Sequence, residues 1–448
     1  MKRNIFVLGL DEFNHTLLTS LPRAEEFEFH AALTFDEIRR DDDFRALELL
    51  DLARSRLHDF EGRLDGIIAF FDFPVTTMLP ILCREFGLSG PSLESVLKCE
   101  HKYWSRLEQQ QVASNAVPQF YAFDPFDEAF LEKTPLLFPF WIKPAKSFRS
   151  YLSYRINEAS DFVTAITSVR EHIDRIADSF APLMEGVAVP AEVAAYGGRC
   201  CIAESPLSGQ QCTLEGYVFE DRVEVYGVVD SVQESDRSSF SRYEYPSRLP
   251  AYVQEAMKEV ARKVMSQIGY TNATFNMEFF YNQTDDRAYL LEINPRLSQS
   301  HGYLFQQIDG TAHHQVMVDL SMGRQPDFPQ GRGRHSHAAK FMLRYHEDGV
   351  VTQVPSAKEI EAVYTMYPDS VIDVLVGPGQ RLSKLRNQDS YSYEVADIYV
   401  AADSESQLLE RYAHITEMLT FTVISAMETF EQTAADISDF ARNEIIPE

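Results

Sequence analysis

The sequence is poor in long apolar runs. No stretch approaches about eighteen consecutive apolar residues, the length expected of a membrane-spanning helix. Basic residues at positions 2 and 3 precede an apolar run, but that run ends in Asp11 without a small-residue cleavage site. Residues 4–9 therefore predict a first β-strand rather than a signal peptide, and we expect a cytoplasmic protein.

Cysteines are few, and basic residues are outnumbered by acidic ones. The five cysteines include no pair spaced as Cys-x-x-Cys and no histidine at metal-binding spacing, which indicates reduced thiols. Asp and Glu number 68 against 41 Lys and Arg, so the net charge is −27. Because such a chain repels nucleic acids and anionic membranes as a whole, we expect neither as a partner. A polyanionic ligand would need locally placed Lys and Arg.

Length and periodicity together predict several domains. A chain of 448 residues is long enough to form two or three packed domains. The first part alternates strands with a helix, which predicts a parallel α/β domain, whereas strands with shorter helices follow residue 138. A segment rich in Gly, Arg and Pro indicates a linker to a third region. The predicted strands lie at 4–9, 29–34, 65–71, 139–143, 152–156, 193–204, 212–219, 223–229, 274–281 and 288–294; the predicted helices lie at 74–86, 251–268 and near 405–430, with a helix start at 91–94; the linker covers 323–334 and the third region has β character over 337–400.

Two carboxylates and an amide are predicted to share one face of a β-hairpin. Two apolar strands flank a polar turn centred on Asp285, and symmetric folding about that residue sets Glu278 opposite Glu292. Asn294 lies two residues beyond Glu292 and therefore on the same face. Facing carboxylates are destabilising unless a cation lies between them, and these oxygen ligands suit Mg²⁺. The alternative is a solvated strand face on which acids simply alternate with apolar residues.

Four further segments, taken in order with this hairpin, resemble the ATP-grasp superfamily. That family builds its metal site from a Glu on one strand and a Glu-x-Asn on the next, the pattern of Glu278, Glu292 and Asn294 here. The four segments are residues 87–92, similar to the junction between the first domain and the ATP-binding lobes; residues 101–106, similar to an Asp-Lys-x-x-x-Arg segment; residues 138–145, similar to the strand that carries the second nucleotide lysine; and residues 202–209, similar to the hinge that holds adenine.

The resemblance implies a mixed α/β and α+β fold of the ATP-grasp architecture. It implies an N-terminal parallel-sheet (pre-ATP-grasp) domain over residues 1–96 and a two-lobed ATP-binding region over 97–325. Within that region, a small lid lobe would cover about 115–212 and a large lobe 213–325. A C-terminal α+β domain would follow over 335–448. A homodimer is usual among relatives.

The resemblance also implies residues that bind ATP and its metal ion, Mg²⁺ or Mn²⁺. Lys102 and Lys143 would contact the α- and β-phosphates as compact cations. Arg296 would stabilise charge on the transferred phosphoryl group or on the acyl phosphate. A solvent-facing helix lysine would look the same as Lys102 in sequence, whereas the apolar run around Lys143 and the Pro-Ala after it weaken the surface alternative for that lysine. The implied adenine hinge comprises Ala203, Glu204 and Leu207, Gln211 takes the position where the family often has a ribose-binding acid, and Glu278, Glu292 and Asn294 would hold the metal.

Two segments depart from the family pattern. The family's phosphate-covering loop is usually rich in glycine, whereas residues 146–151 contain none. Lys146, Arg149 or the Ser150 hydroxyl would then assist any phosphate contact made there. His101 also stands where the family commonly has Asp.

The residues after Arg296 bear on the reaction. Biotin carboxylases have the pattern Arg-x-Gln-x-Glu-His, whereas Ser298 and Ser300 stand at the Gln and Glu positions here, with His301 retained. Residues 376–380 resemble the C-terminal domain of amino-acid ligases in the same branch. The resemblance therefore implies a carbon–nitrogen ligase that activates a carboxylate, an amino acid or a small acid, as an acyl phosphate. An amine would attack it to form an amide, with release of ADP and phosphate.

Two other functions stay open. A carboxyphosphate-forming enzyme of the biotin-carboxylase or purine-biosynthesis type would depend on bicarbonate. A catalytically inactive nucleotide-binding scaffold is favoured by the glycine-free loop and disfavoured by the complete set of metal, lysine and arginine positions. Candidate contacts to the small-molecule carboxylate and amine are Ser298, Arg237 and His301, and His301 is equally well explained as a packed histidine in a turn.

Overall fold

The computed structural model describes residues 2–39, 45–147, 151–234, 239–385 and 392–425. These residues fall into two units: the first comprises Met1–Ser231 and Tyr245–Arg334, and the second comprises Val232–Glu244 and the residues from His335 onward. Within the described ranges, no helix combines the length and the apolar character needed to cross a membrane.

The elements follow one another along the chain as mixed strands and helices. The strands are β1 (Arg3–Leu10), β2 (Phe27–Thr34), β3 (Leu64–Ala69), β4 (Phe120–Phe123), β5 (Phe140–Pro144), β6 (Tyr154–Ile156), β7 (Cys201–Glu204), β8 (Gln210–Phe219), β9 (Arg222–Gln233), β10 (Phe240–Tyr245), β11 (Ala273–Asn282), β12 (Arg287–Asn294), β13 (His337–Tyr345), β14 (Gly349–Gln353), β15 (Val371–Val374), β16 (Tyr393–Ala402) and β17 (Thr422–Ser425). The helices are α1 (Glu12–Thr19), α2 (Phe35–Arg39), α3 (Ala46–Asp59), α4 (Val75–Glu85), α5 (Leu93–Glu100), α6 (Lys102–Ala113), α7 (Phe130–Lys133), α8 (Ala159–His172), α9 (Asp174–Met184), α10 (Ala191–Ala194), α11 (Ala251–Ile268), α12 (Gly302–Asp309), α13 (His314–Ser321), α14 (Ala357–Met366) and α15 (Glu405–Met418).

The first unit begins with a parallel sheet in the order β2-β1-β3. Its strands are apolar on both faces because helices cover the sheet, as parallel sheets require. Ile5, Val7 and Ile68 are almost fully buried in this core. The predicted parallel sheet at the N-terminus is therefore confirmed. The helix predicted at 91–94 also begins there, since the Ser92 hydroxyl accepts a hydrogen bond from Ser95 N.

A four-stranded antiparallel sheet in the order β4-β7-β5-β6 follows, and α8 packs on it. The strand predicted at 193–204 is wrong for its first part, because only Cys201–Glu204 is a strand. Pro190 directly precedes the short helix α10, and Gly197 adopts a φ of 60°, so extended structure begins only at Cys201.

The chain then builds the sheet that carries the predicted hairpin, in the order β12-β11-β8-β9. The amphipathic helix α11 packs on one face of it through residues such as Val253, Met257 and Val264. Gly269 ends α11 in the left-handed region at φ 74°, as the sequence predicts. The opposite face of this sheet is therefore the one left for polar side chains.

The second unit contains a sheet in the order β10-β13-β16-β15, with α14 and α15 packed on one face, and the strand pair β14-β17. The helix predicted near 405–430 is wrong beyond Met418. Leu419 has extended backbone angles, and the β-branched residues Thr422, Val423 and Ile424 form β17 against β14. The remainder of that predicted helix, from residue 426, lies outside the described residues.

Candidate active site

The predicted hairpin forms as β11 and β12, and its register sets the two glutamates opposite each other. Glu278 pairs with Glu292, and Asn276 pairs with Asn294. The alternate residue Met277 is fully buried against α11, so the side chains on either side of it must point the other way. The hairpin therefore presents two carboxylates and two amides on one face.

The polar face continues onto β8. Glu215 pairs with Asn276, and the Gln211 side-chain amide donates to Glu278 Oε2 at 3.0 Å. Asn294 Nδ2 donates to Asn276 Oδ1 at 2.8 Å, which leaves the carbonyl end of Asn294 for a cation. Gln211 thus contacts a carboxylate of the predicted metal site from the position predicted to meet ribose.

The electrostatics of the hairpin favour a bound cation. Burial, and then the facing charge of Glu292, raises the pKa of Glu278 to about 7. In the described ranges no group of three or more His, Cys, Asp or Glu side chains is placed to hold a metal ion. Two carboxylates and an amide oxygen nevertheless fit Mg²⁺, which takes few protein oxygens and completes its octahedron with phosphate oxygens and water.

Lys102 lies beside this hairpin at the first turn of α6. Its Nζ donates to Ser147 O at 2.8 Å and lies 3.7 Å from Glu292 Oε1. Its backbone N–H donates to Ala145 O at 2.7 Å, which ties α6 to the end of β5. Burial lowers the pKa of Lys102. The structure therefore brings one predicted phosphate lysine to the predicted metal site.

The second predicted lysine, Lys143, is paired with Glu204. Lys143 Nζ lies 2.6 Å from Glu204 Oε2, and Arg106 Nε lies 2.5 Å from Glu204 Oε1. Burial alone would raise the pKa of Glu204, but Arg106 and Lys143 together lower it to about 2. Arg106 also donates to the carbonyls of Leu290 and Leu291 at 3.0 and 2.7 Å. This triad links α6, the four-stranded sheet and the hairpin.

The predicted adenine hinge lies where the chain leaves the four-stranded sheet. Ala203 and Glu204 end β7, Leu207 is half-buried in the following loop, and β8 then begins in the other sheet. These three residues therefore connect two sheets, which is the position expected of a hinge.

Arg296 follows the hairpin and is held by an acid that follows β3. Its Nε donates to Asp72 Oδ1 at 2.7 Å. Burial would lower the pKa of Arg296, but the neighbouring Asp72 raises it. Asp72 is absent from the predicted site residues, although it follows β3 at the carboxyl end of a parallel strand. Ligands bind at that edge of open α/β sheets, which is the sequence signal for it.

Ser298 and His301 gather around Glu215, another residue that the sequence interpretation misses. Ser298 N donates to Glu215 Oε1 at 3.2 Å, and His301 Nδ1 lies 2.8 Å from the same oxygen. His301 is 2% exposed and Glu215 is fully buried, so this placement favours the packed-histidine alternative over substrate contact. The signal for Glu215 is that it is the one charged residue of strand β8.

The remaining predicted residues are only partly described. Ser150, Arg149 and Arg237 lie outside the described residues. Lys146, at the start of the glycine-free loop, is buried. Its Nζ lies 2.8 Å from Glu100 Oε2 and 5.0 Å from the ring centroid of Phe73. The described end of that loop is therefore fixed to α5.

The family model of the ATP-grasp domain matches residues 136–302. That range contains Lys143, Glu204 and the whole hairpin. No curated protein matches the chain in sequence.

Solved structures share the fold over nearly the whole chain. L-amino acid ligase from Bacillus licheniformis has a TM-score of 0.68 at 15% identity, covering 95% of this chain and 99% of that one. Phosphoribosylglycinamide synthetase from Anaerococcus prevotii has a TM-score of 0.63 at 14% identity, with coverages of 95% and 100%. Biotin carboxylase from Campylobacter jejuni has a TM-score of 0.62 at 14% identity, with coverages of 99% and 97%. Residues 136–302 therefore match the ATP-grasp domain model, and the chain shares the ATP-grasp fold of these structures, as the resemblance in sequence predicts.

Proposed function

We propose that the chain is an ATP-dependent carbon–nitrogen ligase that activates an amino acid or another small acid as an acyl phosphate for attack by an amine. The observation that carries this proposal is the hairpin. Glu278 and Glu292 face each other across it, with Lys102 Nζ 3.7 Å from Glu292. Two facing carboxylates that are both half-buried are unfavourable alone and become favourable with a divalent cation and phosphate.

The proposed roles follow the polar face of the sheet. Glu278, Glu292 and Asn294 hold Mg²⁺ or Mn²⁺, which would neutralise charge on the phosphates of ATP. Lys102 adds a positive charge beside Glu292. Arg296, aligned by Asp72, faces the transferred phosphoryl group. Lys143 meets a nucleotide phosphate while sharing its charge with Glu204, and Ala203, Glu204 and Leu207 receive the adenine.

The fold does not choose between amide ligation and carboxylation, because an L-amino acid ligase and a biotin carboxylase both share it. The turn after the hairpin favours ligation. Ser298 stands where biotin carboxylases have Gln, and its backbone is bound to the buried Glu215. Ser300 stands where they have the acidic residue. A carboxyphosphate-forming activity is the second candidate, favoured by the retained His301, and it would require bicarbonate.

A phosphate-release screen tests the proposal. The purified chain is incubated with ATP and Mg²⁺ against pools of amino acids, small acids and amines, with and without bicarbonate. Phosphate release that requires both an acid and an amine, together with an amide product detected by mass spectrometry, supports ligation. Release that requires bicarbonate supports carboxylation instead. ATP binding without turnover in any pool supports an inactive scaffold.

Two variants make the screen specific to the site. Glu292→Ala removes one proposed metal ligand and should abolish phosphate release. Glu224→Ala removes an exposed glutamate from β9 in the same sheet and should leave turnover unchanged. Equal turnover in the two variants contradicts the metal assignment.

A further inference from the structure

A buried polar cluster lies behind the turn that carries Arg296. We define the Glu215 cluster as Glu215, Tyr226, Ser298, His301 and His313. The Glu215 carboxyl accepts from Ser298 N at 3.2 and 3.4 Å and lies 2.8 Å from His301 Nδ1. His313 Nδ1 lies 3.8 Å from Glu215 Oε2 and 3.2 Å from the Tyr226 hydroxyl.

This cluster lies in the interior of the first unit. Glu215 and His313 are fully buried, His301 is 2% exposed and Tyr226 is 6% exposed. Burying a carboxyl and two imidazoles costs free energy unless their polar atoms are well paired. Apolar residues of similar size would fill the same space without that cost, so packing alone does not explain the cluster. The arrangement therefore indicates that the cluster fixes the positions of neighbouring groups rather than raising the free energy of unfolding.

The cluster fixes one side of a turn whose other side is fixed independently. Residues 295–301 connect β12 to α12. At their start, the Arg296 side chain is held by Asp72 at 2.7 Å. Two residues later the backbone N–H of Ser298 is bound by Glu215, and Leu297 between them is fully buried. The backbone and the side chain of this turn therefore have separate anchors.

We propose that Glu215 is a positioning residue that holds the backbone of the turn so that Arg296 points at the transferred phosphoryl group. Glu215 reaches the turn directly through Ser298 N–H and indirectly through His301. His301 in this arrangement is part of the support for the turn and does not touch substrate. This inference rests on the proposed function for the role of Arg296.

Two variants of Glu215 separate the effect of its hydrogen bonds from the effect of its side-chain volume. Glu215→Met keeps the length of the side chain and removes both oxygens. Glu215→Gln keeps one oxygen that can accept from Ser298 N–H and is the conservative control. Glu224→Gln changes an exposed glutamate on the neighbouring strand β9 and serves as the matched surface control.

Two readouts are taken on each full-length variant. Hydrogen exchange of peptides covering residues 296–302 reports the order of the turn and needs no turnover. Steady-state kinetics with the substrates found in the screen reports kcat and KM for ATP. We expect Glu215→Met to exchange faster in that segment and to lose about 100-fold in kcat, the order of loss caused by small misplacements of reacting groups. KM for ATP should change by less than about threefold, and Glu215→Gln should recover most of the loss.

Several results would overturn the proposal. If a folded Glu215→Met protein shows unchanged hydrogen exchange over residues 296–302, Glu215 does not position the turn. A rise in KM for ATP with kcat preserved contradicts the positioning role as well. If Glu215→Met does not fold, His301→Leu and His301→Asn replace it, because asparagine places an amide nitrogen near the position of Nδ1. Equal kcat and equal exchange in those two variants then contradict the inference. Absence of turnover in the wild-type chain contradicts the proposed function instead, while the exchange comparison still decides whether Glu215 orders the turn.

Discussion

Lys143 Nζ and Glu204 Oε2 lie 2.6 Å apart in a buried ion pair, and Arg106 holds the other oxygen of the same carboxylate. The lysine predicted to meet a nucleotide phosphate is therefore already neutralised by the protein. A nucleotide would share this lysine with Glu204, which would couple the predicted adenine hinge to phosphate binding. Arg106 extends the coupling to the hairpin through its bonds to β12.

Glu204→Gln should reduce the free energy of unfolding by about 3 kcal/mol, because it leaves two buried cations without their carboxylate. Lys143→Met should cost less, since Arg106 still neutralises Glu204. Urea unfolding at neutral pH measures both. Lys133→Met, which breaks an exposed pair with Asp127, is the control and should change stability by less than about 1 kcal/mol. A loss in Glu204→Gln no larger than in the control contradicts the buried triad.

Glu278→Gln should stabilise the protein in EDTA and abolish its stabilisation by Mg-ATP. Burial, and then the facing charge of Glu292, raises the pKa of Glu278 to about 7, so the folded state binds a proton that the unfolded state releases near 4.5. This group therefore costs stability progressively as pH rises from 4.5 through 7. Replacing it with a neutral amide removes the cost.

Thermal unfolding at pH 8 in EDTA, Mg²⁺ and Mg-ATP checks this prediction. Glu224→Gln on the exposed part of β9 is the control and should keep the wild-type response to Mg-ATP. A Glu278→Gln protein that is less stable than the wild type in EDTA, yet still stabilised by Mg-ATP, contradicts a metal site at this hairpin.

The hairpin is predictable from sequence because all its information is local. The alternation of apolar and polar residues along each strand identifies the buried face, and the polar turn at 284–286 fixes the register within a few residues. The structure adds a bulge beside Glu278, so that Phe279 pairs with Leu290 and the tip pair becomes Asn282 with Arg287. Symmetric folding about Asp285 still gives the correct pairing of Glu278 with Glu292. The helix α11 and its Gly269 stop are predictable for the same reason.

The supporting contacts are not local and could not be predicted. Arg296 and its partner Asp72 are 224 positions apart, and His301 is 86 positions from Glu215. A single sequence specifies such contacts only through the whole fold. Gln211 shows a related difficulty, since a motif position gives the residue but not the direction of its side chain. The strand predicted at 193–204 failed in its first part because apolar composition alone does not distinguish a strand from a short helix.

His101→Asn should make the protein less sensitive to mild acid. His101 Nδ1 accepts a hydrogen bond from Trp104 N at 3.2 Å and so caps α6. The Asp that the resembling family commonly has at this position would be expected to make the same capping contact. Burial lowers the pKa of His101 to about 4, whereas it is 6.5 in the unfolded chain. Its neutral form therefore supports the fold above pH 6.5, and that support is lost as pH falls from 6.5 through 4. Asparagine keeps a capping oxygen and does not titrate.

The measurement is urea unfolding of both proteins at pH 7 and pH 4.5. The loss of stability between the two pH values should be smaller in His101→Asn, while stability at pH 7 stays within about 1 kcal/mol of the wild type. His58→Asn, at an exposed histidine, should leave the pH dependence nearly unchanged. Equal acid sensitivity in the wild type and His101→Asn contradicts the prediction.

Gln211→Met should weaken activation by Mg²⁺ and leave ribose recognition unchanged. The Gln211 amide donates to Glu278 Oε2 at 3.0 Å, so it orients a proposed metal ligand. Removing such a supporting contact typically costs about 10-fold in metal affinity. If Gln211 instead contacts ribose, the variant should lose discrimination between ATP and 2′-deoxy-ATP. Titrating Mg²⁺ with each nucleotide and following phosphate release separates the two roles. Loss of a contact that orients the metal ligand should change the Mg²⁺ dependence equally for ATP and 2′-deoxy-ATP, whereas loss of a ribose contact should not. An unchanged Mg²⁺ dependence together with a reduced preference for ATP would assign Gln211 to the ribose.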